Sequence, residues 1–108
     1  MKLGIILQSN QPEHVWNALR LAITARKAEH EVKIFLLSEG VELERMPDSE
    51  HFDISKKVKD FTNLEGQILA CGSCLESRSQ SGGAACSVST MTDLLRLVEE
   101  SDKVLTFG

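Results

Sequence analysis

The sequence has no tyrosine and a single tryptophan among its 108 residues, and aromatic residues make up only 5% of the chain. Proteins that bind single strands of nucleic acid stack the bases on aromatic side chains, so no such platform is expected here. Basic residues are also outnumbered, with 12 Lys and Arg against 16 Asp and Glu and a net charge of −4. The charge therefore gives no electrostatic reason to expect binding to nucleic acid or to an anionic membrane.

Long apolar runs are absent as well. No window approaches the roughly 18 apolar residues that a membrane span requires. The first apolar run stops after Leu7, which is too short for the core of a signal peptide. We therefore expect a cytoplasmic protein. The chain has only three cysteines, which is an odd number. In a reducing compartment this count argues against a disulfide framework and favours reactive thiols, metal ligands or plain burial.

Four short apolar runs are present, at residues 3–7, 32–37, 67–71 and 103–107. Each run is nearly continuous, which is typical of strands that are buried on both faces of a parallel sheet. Helical patterns separate the runs. Their predicted first residues or caps are Asn10 or Gln11 with Pro12, then Asp53, then Thr90 with Asp93 as a capping box.

This order of elements predicts one α/β domain over residues 1–108. We expect a doubly wound, mainly parallel four-stranded sheet in the flavodoxin-like order 2-1-3-4, with helices on both faces. The first helix would then cover one face of the sheet, and the other two helices would cover the opposite face. Part of the first helix's face would stay bare, and a bare apolar sheet favours self-association.

Two cysteines follow the third run directly, in the stretch ACGSCLESR that begins at Ala70. Given the order 2-1-3-4, a ligand crevice opens between the carboxyl ends of strands 1 and 3. Cys71 would lie at its mouth with Cys74 beside it. Asn10 and His14 follow the first strand and are candidate binding residues at the same edge. Cys86 precedes the last helix on that side.

A cysteine reacts as the thiolate, whose pKa falls beside basic side chains, helix N-termini or a second thiol. Arg78 follows the pair by one to two helical turns and is the candidate that stabilises the anion. These features predict an electropositive pocket around a nucleophilic or sulfur-carrying cysteine. Cys71, Cys74 and Cys86 are the candidate catalytic thiols, and burial without chemistry is the competing interpretation.

Other chemistries remain open at this stage. A zinc site would need the three cysteines together with His14 or His51, although the chain has one Cys-x-x-Cys where a zinc ribbon has two. A disulfide exchanger also uses Cys-x-x-Cys, but there the motif precedes a long helix. The glycines at 82 and 83 resemble a phosphate cradle that lacks the Walker lysine. The acidic run at residues 41–50 is interpreted as a solvated face.

Segments 70–78 and 86–108, ACGSCLESR and CSVSTMTDLLRLVEESDKVLTFG, together resemble the DsrE/DsrF-like sulfur-relay family. Residues 1–44 fit the first βαβ unit of that family, so the resemblance covers essentially the whole chain. Cys71 matches the family's acceptor cysteine and Arg78 matches its basic position. Cys74 stands where many relatives have a residue other than cysteine. Ser79 stands where a glycine commonly follows the arginine in the family.

The resemblance implies a small α/β domain that holds sulfur as a cysteine persulfide and passes it to a partner. The implied partners are sulfur donor and acceptor proteins, and the implied assembly is a homotrimer or homohexamer. Neither a cofactor nor a metal is expected. The second thiol leaves room for a dithiol variant of the carrier. The alternatives are a regulatory module that binds a small ligand and has incidental thiols, or a thiol redox or zinc protein.

Overall fold

Strands and helices alternate along the chain in the computed structural model, which describes residues 1–108. The strands are β1 (Lys2–Leu7), β2 (Glu31–Leu36), β3 (Gln67–Cys71), β4 (Ser87–Ser89) and β5 (Lys103–Phe107). The α-helices are α1 (Pro12–Lys27), α2 (Ile54–Asn63), α3 (Gly72–Ser77) and α4 (Met91–Glu100), and a 3₁₀ helix at Ser38–Arg45 follows β2. The four strands that the sequence predicts are present, each within one residue of its predicted bounds.

The sheet has five strands in the order β4-β3-β2-β1-β5, and all neighbouring pairs are parallel. The expected α/β class with a parallel sheet is confirmed, whereas the four-stranded order 2-1-3-4 is wrong. β2 lies between β1 and β3, and β5 pairs with the other side of β1. The first three crossovers all step in one direction, and only the last returns across the sheet. The topological switch point therefore lies between β1 and β5.

The helices divide between the two faces of the sheet according to the direction of their crossovers. Right-handed connections place α1 and α2, which pack on each other, on one face. The reversed final crossover places α4 on the opposite face, where Leu97 and Ser101 pack over Gly4. A single long helix thus covers the α4 face. The incompletely covered face of the sheet is opposite to the one that the sequence predicts, because α1 and α2 share a face.

Two helix starts agree with the sequence in detail. Gln11, one of the two candidates, is the N-cap of α1, and its Oε1 accepts the N–H of His14 at 3.0 Å. α4 has the predicted capping box. Thr90 Oγ1 accepts the N–H of Asp93 at 3.2 Å, and the Asp93 carboxylate accepts the N–H of Thr90 at 3.3 Å. These bonds satisfy main-chain donors that a helix start leaves free.

Three helices are followed by a residue in the left-handed region, and none of these residues is a glycine. Glu29, Glu65 and Ser79 have φ values of 69°, 68° and 51°. After α3, the N–H of Gln80 donates to the carbonyl of Leu75 at 2.9 Å, and the ends of α1 and α2 have the same pattern. This is the Schellman arrangement, which favours glycine at the left-handed position. Ser79 therefore occupies a position where glycine would relieve backbone strain.

β4 and α3 are not predicted from the sequence as separate elements. β4 has three residues, Ser87, Val88 and Ser89, and so presents no apolar run. It forms because the segment after α3 pairs with the last part of β3, where Cys71 lies opposite Ser89. No helix of the structure is long and apolar enough to cross a membrane.

Candidate functional site

The Cys-x-x-Cys stretch forms the junction between β3 and α3. Cys71 is the last residue of β3 and the N-cap of α3, and it is 4% exposed. Cys74 lies in the first turn of α3 and is half-buried. The two residues are three apart in the chain, and Cys74 is among the groups that shift the pKa of the Cys71 thiol. All three cysteines are free thiols, so the junction presents an adjacent, reduced pair of sulfur atoms.

Cys86 is separated from this pair. It is 7% exposed and precedes β4, in which Ser89 pairs with Cys71. Cys86 lies three residues before Ser89, which corresponds to about 10 Å along an extended chain. Glu44, and no second cysteine, is the charged group that acts on its thiol and raises its pKa. The structure therefore brings Cys71 and Cys74 together and leaves Cys86 in a different environment.

The 3₁₀ helix is the neighbour of α3, and polar contacts tie the two segments together. The N–H of Ser38 lies 3.2 Å from Sγ of Cys74. Further along, Arg45 Nη1 donates to Oε1 of Gln80 at 3.4 Å. Glu44 Oε1 accepts the N–H of Ala85 at 2.6 Å. These contacts hold the segment after β2 against the segment that contains the cysteine pair.

Arg78 belongs to the same set of contacts. Its Nε lies 3.4 Å from Oε2 of Glu42, and its Nη1 donates to the carbonyl oxygen of Cys74 at 3.1 Å and to Oγ of Ser77 at 3.3 Å. The guanidinium thus joins the end of α3 to the 3₁₀ helix. Its hydrogen bonds go to oxygen atoms, and none goes to the sulfur of Cys71 or Cys74.

The thiols do not share the electropositive setting that the sequence predicts. Burial raises the pKa of the Cys71 thiol, and the hydrogen bond with Cys74 raises it further. Main-chain N–H groups of Cys74 and Ser73 act in the opposite direction with smaller effect. Burial, the charge of Glu44 and the hydrogen bond to its side chain raise the pKa of Cys86 to about 12. At Cys71 the loss of water thus outweighs the nearby main-chain dipoles, whereas at Cys86 burial and Glu44 act in the same direction.

Asn10 and His14 are not neighbours of the cysteine pair. Their expected proximity depended on β1 lying next to β3, and β2 separates those strands. Two strand spacings amount to about 10 Å. His14 Nδ1 is instead 3.0 Å from Oγ of Ser9, which also accepts the N–H of Gln11. Both residues follow β1 at the carboxyl edge of the sheet, and β2 lies between them and the cysteine pair.

The contacts that the 3₁₀ helix makes at the candidate site are not predicted from the sequence. The sequence predicts a solvated face for the acidic run, yet Glu42 pairs with Arg78 and Glu44 accepts a hydrogen bond from the loop before β4. One local signal is present, namely Gly40. A Cβ on Gly40 would collide with the carbonyl oxygen of Leu7, so the 3₁₀ helix passes directly over the end of β1.

A cavity of about 700 Å³ opens between the 3₁₀ helix, α2 and the start of β3. Leu43, Val58 and Ile68 contribute apolar lining, and Glu44 and Lys59 contribute charged groups. Neither Cys71 nor Cys74 lines it. The cavity is therefore beside the thiol pair and separate from it.

Two of the alternative chemistries have little support in this geometry. No group of three or more His, Cys, Asp or Glu side chains lies close enough to hold a metal ion, which a zinc site of three cysteines and one histidine would require. The loop with Gly82 and Gly83 leads into β4, and α4 begins only after that strand. The alternative of a phosphate cradle at a helix N-terminus is therefore not supported.

Comparison with known proteins agrees with the resemblance found in the sequence. The chain is 34% identical over 100 residues to the uncharacterized protein MJ0989 of Methanocaldococcus jannaschii, covering 88% of each chain. It is 28% identical over 117 residues to protein YchN of Escherichia coli, covering 99% of this chain and 100% of YchN.

The crystal structure of YchN superposes on the present fold with a TM-score of 0.83 at 26% identity, covering 99% of this chain and 100% of that chain. The profile of the DsrE/DsrF-like family matches residues 1–107, which is almost the entire sequence. The chain therefore belongs to the DsrE/DsrF-like family.

Proposed function

We propose that residues 1–108 form one sulfur-carrier domain that takes sulfur from a donor protein, stores it as a persulfide on Cys71 and passes it to an acceptor protein. The observation that carries this proposal is the placement of the free thiols of Cys71 and Cys74 three residues apart at the junction of β3 and α3, on the carboxyl edge of a parallel sheet. Membership of the DsrE/DsrF-like family, which is often related to sulfur relay, supports the same chemistry.

The carrier needs no change in overall oxidation state. A thiolate attacks the outer sulfur of the donor's persulfide, the S–S bond of the donor breaks, and the electron pair leaves on the donor's thiolate. Delivery repeats this step with the acceptor's thiolate as the attacking group. The environment of Cys71, which is nearly closed to water, suits storage because it limits attack on the persulfide by small thiols.

Cys74 is the second thiol of the proposed carrier, and Cys86 is not suited to that role. A thiol with a pKa of about 12 is protonated at neutral pH and is a poor nucleophile. Arg78 contributes by holding the Cys74 carbonyl and the 3₁₀ helix, so that the pair keeps its geometry. Asn10 and His14, farther along the same edge, are proposed to meet the bound partner.

The test is to incubate the protein with glutathione persulfide and to weigh the intact chain and its peptides. We expect the peptide with Cys71 and Cys74 to gain one sulfur atom, and fragment ions to assign that sulfur to Cys71 at equilibrium. The Cys86→Ser variant is the matched control and should gain sulfur as the wild type does. The proposed function fails if this peptide never gains sulfur.

A second candidate is a module that binds a small ligand and whose thiols are incidental. The cavity of about 700 Å³ beside α2 favours it, because its volume is in the range of ligand pockets. The two candidates predict different behaviour of the sulfur atoms. Slow alkylation of all three cysteines, together with no gain of sulfur, would favour the binding module.

We also propose a cytoplasmic homotrimer or homohexamer that contacts its donor and acceptor proteins directly and binds neither nucleic acid nor membrane. The outer surface of α4 supports self-association. Met91, Leu95 and Val98 are 63%, 57% and 44% exposed and follow one another at helical spacing. A second copy of the chain would remove this apolar stripe from water.

A further inference from the structure

The two thiols of the pair differ in their access to solvent. Cys71 is 4% exposed at the end of β3, whereas Cys74 is half-buried on the first turn of α3. A donor's persulfide sulfur has to come within bonding distance of the thiolate that attacks it. The storage thiol is therefore the one that a donor reaches less easily.

We propose that Cys74 takes the sulfur from the donor and that Cys71 then receives it from Cys74. This order of use rests on the proposed function and adds a direction to it. Cys74 becomes the thiol that recognises a persulfide donor, and Cys71 becomes the internal acceptor.

Ser38 supplies a main-chain donor for the sulfur of Cys74. Its N–H is 3.2 Å from Sγ, which is hydrogen-bonding distance for a sulfur acceptor. A fixed N–H stabilises negative charge on sulfur, and it needs no rearrangement when the charge develops. Cys71 has no equivalent donor from outside its own turn; the N–H groups that face it are those of Ser73 and Cys74.

The turn that presents this N–H is held by the main chain. Ser38 has a φ of 51°, which is a left-handed main-chain conformation that residues other than glycine rarely adopt. The N–H of Leu37 donates to the carbonyl of Leu7 at 3.0 Å, and the N–H of Gly40 donates to the carbonyl of Leu37 at 2.9 Å. These bonds fix the turn on the end of β1 and so fix the direction of the Ser38 N–H.

Both sulfur transfers are balanced in atoms, electrons and protons. In the first, the Cys74 thiolate attacks the outer sulfur of the donor's persulfide, and the donor leaves as a thiolate. In the second, the sulfur of Cys71 attacks the outer sulfur of the Cys74 persulfide, whose S–S bond breaks. The electron pair returns to Cys74, and the proton of the Cys71 thiol passes to it. No oxidant or reductant is consumed.

The experiment measures the first seconds of loading with glutathione persulfide, using acid quench and intact mass. Cys71→Ser should still gain one sulfur atom, and fragment ions should place that sulfur on Cys74. Cys74→Ser should load at least about tenfold more slowly, because the more accessible of the two thiols is the entry point. Cys86→Ser is the matched control and should not change the rate. Alkylation of the wild type with limiting iodoacetamide should modify Cys74 before Cys71.

The possible outcomes separate the two proposals. Loading of Cys74→Ser at the wild-type rate, or alkylation of Cys71 first, overturns the order of use and leaves sulfur storage on Cys71 standing. No sulfur on any of the chains overturns both. Alkylation uses the unmodified protein, so it decides the order even if a serine variant does not fold.

Discussion

The carboxylate of Glu42 and the guanidinium of Arg78 form an ion pair, with 3.4 Å between Oε2 and Nε, that joins the 3₁₀ helix to the end of α3. Both side chains are about one third exposed. The same guanidinium reaches the carbonyl oxygen of Cys74 at 3.1 Å. The basic residue that the sequence assigns to anion stabilisation is thus engaged in holding two segments together.

Replacing Arg78 separates its structural contribution from its contribution to the site. Arg78→Ala should lower the free energy of unfolding by about 1 kcal/mol, since it removes a partly exposed ion pair and a bond to Cys74. It should also slow sulfur loading, because Cys74 is then held less firmly. Glu42→Gln keeps the guanidinium on the Cys74 carbonyl and should affect loading much less. Urea unfolding and loading rates provide the two measurements, and equal loading by Arg78→Ala and wild type would remove Arg78 from the site.

Replacing Ser79 is expected to raise the free energy of unfolding, whereas replacing Arg78 is expected to lower it. Its φ of 51° places it in the left-handed region at the end of α3. Ser79→Gly should therefore stabilise the protein by about 0.5–1 kcal/mol, because glycine adopts this conformation without steric cost. Ser73→Gly, within α3 and exposed, is the matched control and should destabilise the protein by a few tenths of a kcal/mol or more. Urea midpoints that fall for both variants would contradict the proposed strain.

The sequence predicts local structure well where the signal itself is local. The strands β1, β2, β3 and β5 are buried apolar runs, and the capping box at Thr90 and Asp93 uses neighbouring residues only. β4 gives no such signal, because its pairing depends on a loop that Glu44 holds from a distant part of the chain.

The order of the strands could not be read in the same way. An apolar run shows that a strand is buried, but it does not show which neighbour the strand pairs with. With β2 between β1 and β3, the residue that faces Cys74 is Ser38, and Asn10 and His14 lie farther away. The position of Cys71 and Cys74 at the end of β3 was thus predictable from the sequence, whereas the residues that face the pair depended on the strand order.

The pair of Glu44 and Cys86 predicts a pH dependence. The pKa of Cys86 is raised from 9.0 to about 12, so its stabilising effect is complete below pH 9. Above that value the unfolded chain loses the proton first, and stability falls as pH rises toward 12. Glu44→Gln should weaken this alkaline dependence, because it removes the charge but keeps an acceptor for the N–H of Ala85.

Alkylation of Cys86 measures the same effect directly. Glu44→Gln should let Cys86 react at a lower pH than in the wild type, and Glu44→Ala should add exposure because it also frees the loop before β4. Cys71 serves as the internal control, since Glu44 is not among the groups that shift its pKa. Identical pH profiles for Cys86 in wild type and Glu44→Gln would show that burial alone protects it.

Gly40 tests the turn that presents the N–H of Ser38. A Cβ at this position would collide with the carbonyl oxygen of Leu7, which is main chain and cannot rotate away. Gly40→Ala should therefore cost about 1–3 kcal/mol of stability and displace the 3₁₀ helix. Glu39→Ala, at the neighbouring exposed position, is the control and should have little effect. A Gly40→Ala variant with wild-type stability and wild-type Cys74 reactivity would show that the turn does not depend on this close contact.

The exposed stripe of α4 predicts how the protein assembles. Leu95 is 57% exposed and lies between Met91 and Val98 on the outer surface of that helix. Leu95→Lys should shift the mass measured by light scattering at micromolar concentration from an oligomer toward a monomer, since a charge in a buried interface loses its hydration. Leu21→Lys is the control, because Leu21 is exposed on α1 and outside the stripe. A wild-type protein that is already monomeric would overturn the proposed self-association. An oligomer that withstands Leu95→Lys but dissociates with Leu21→Lys would move the interface from α4 to the α1 face of the sheet.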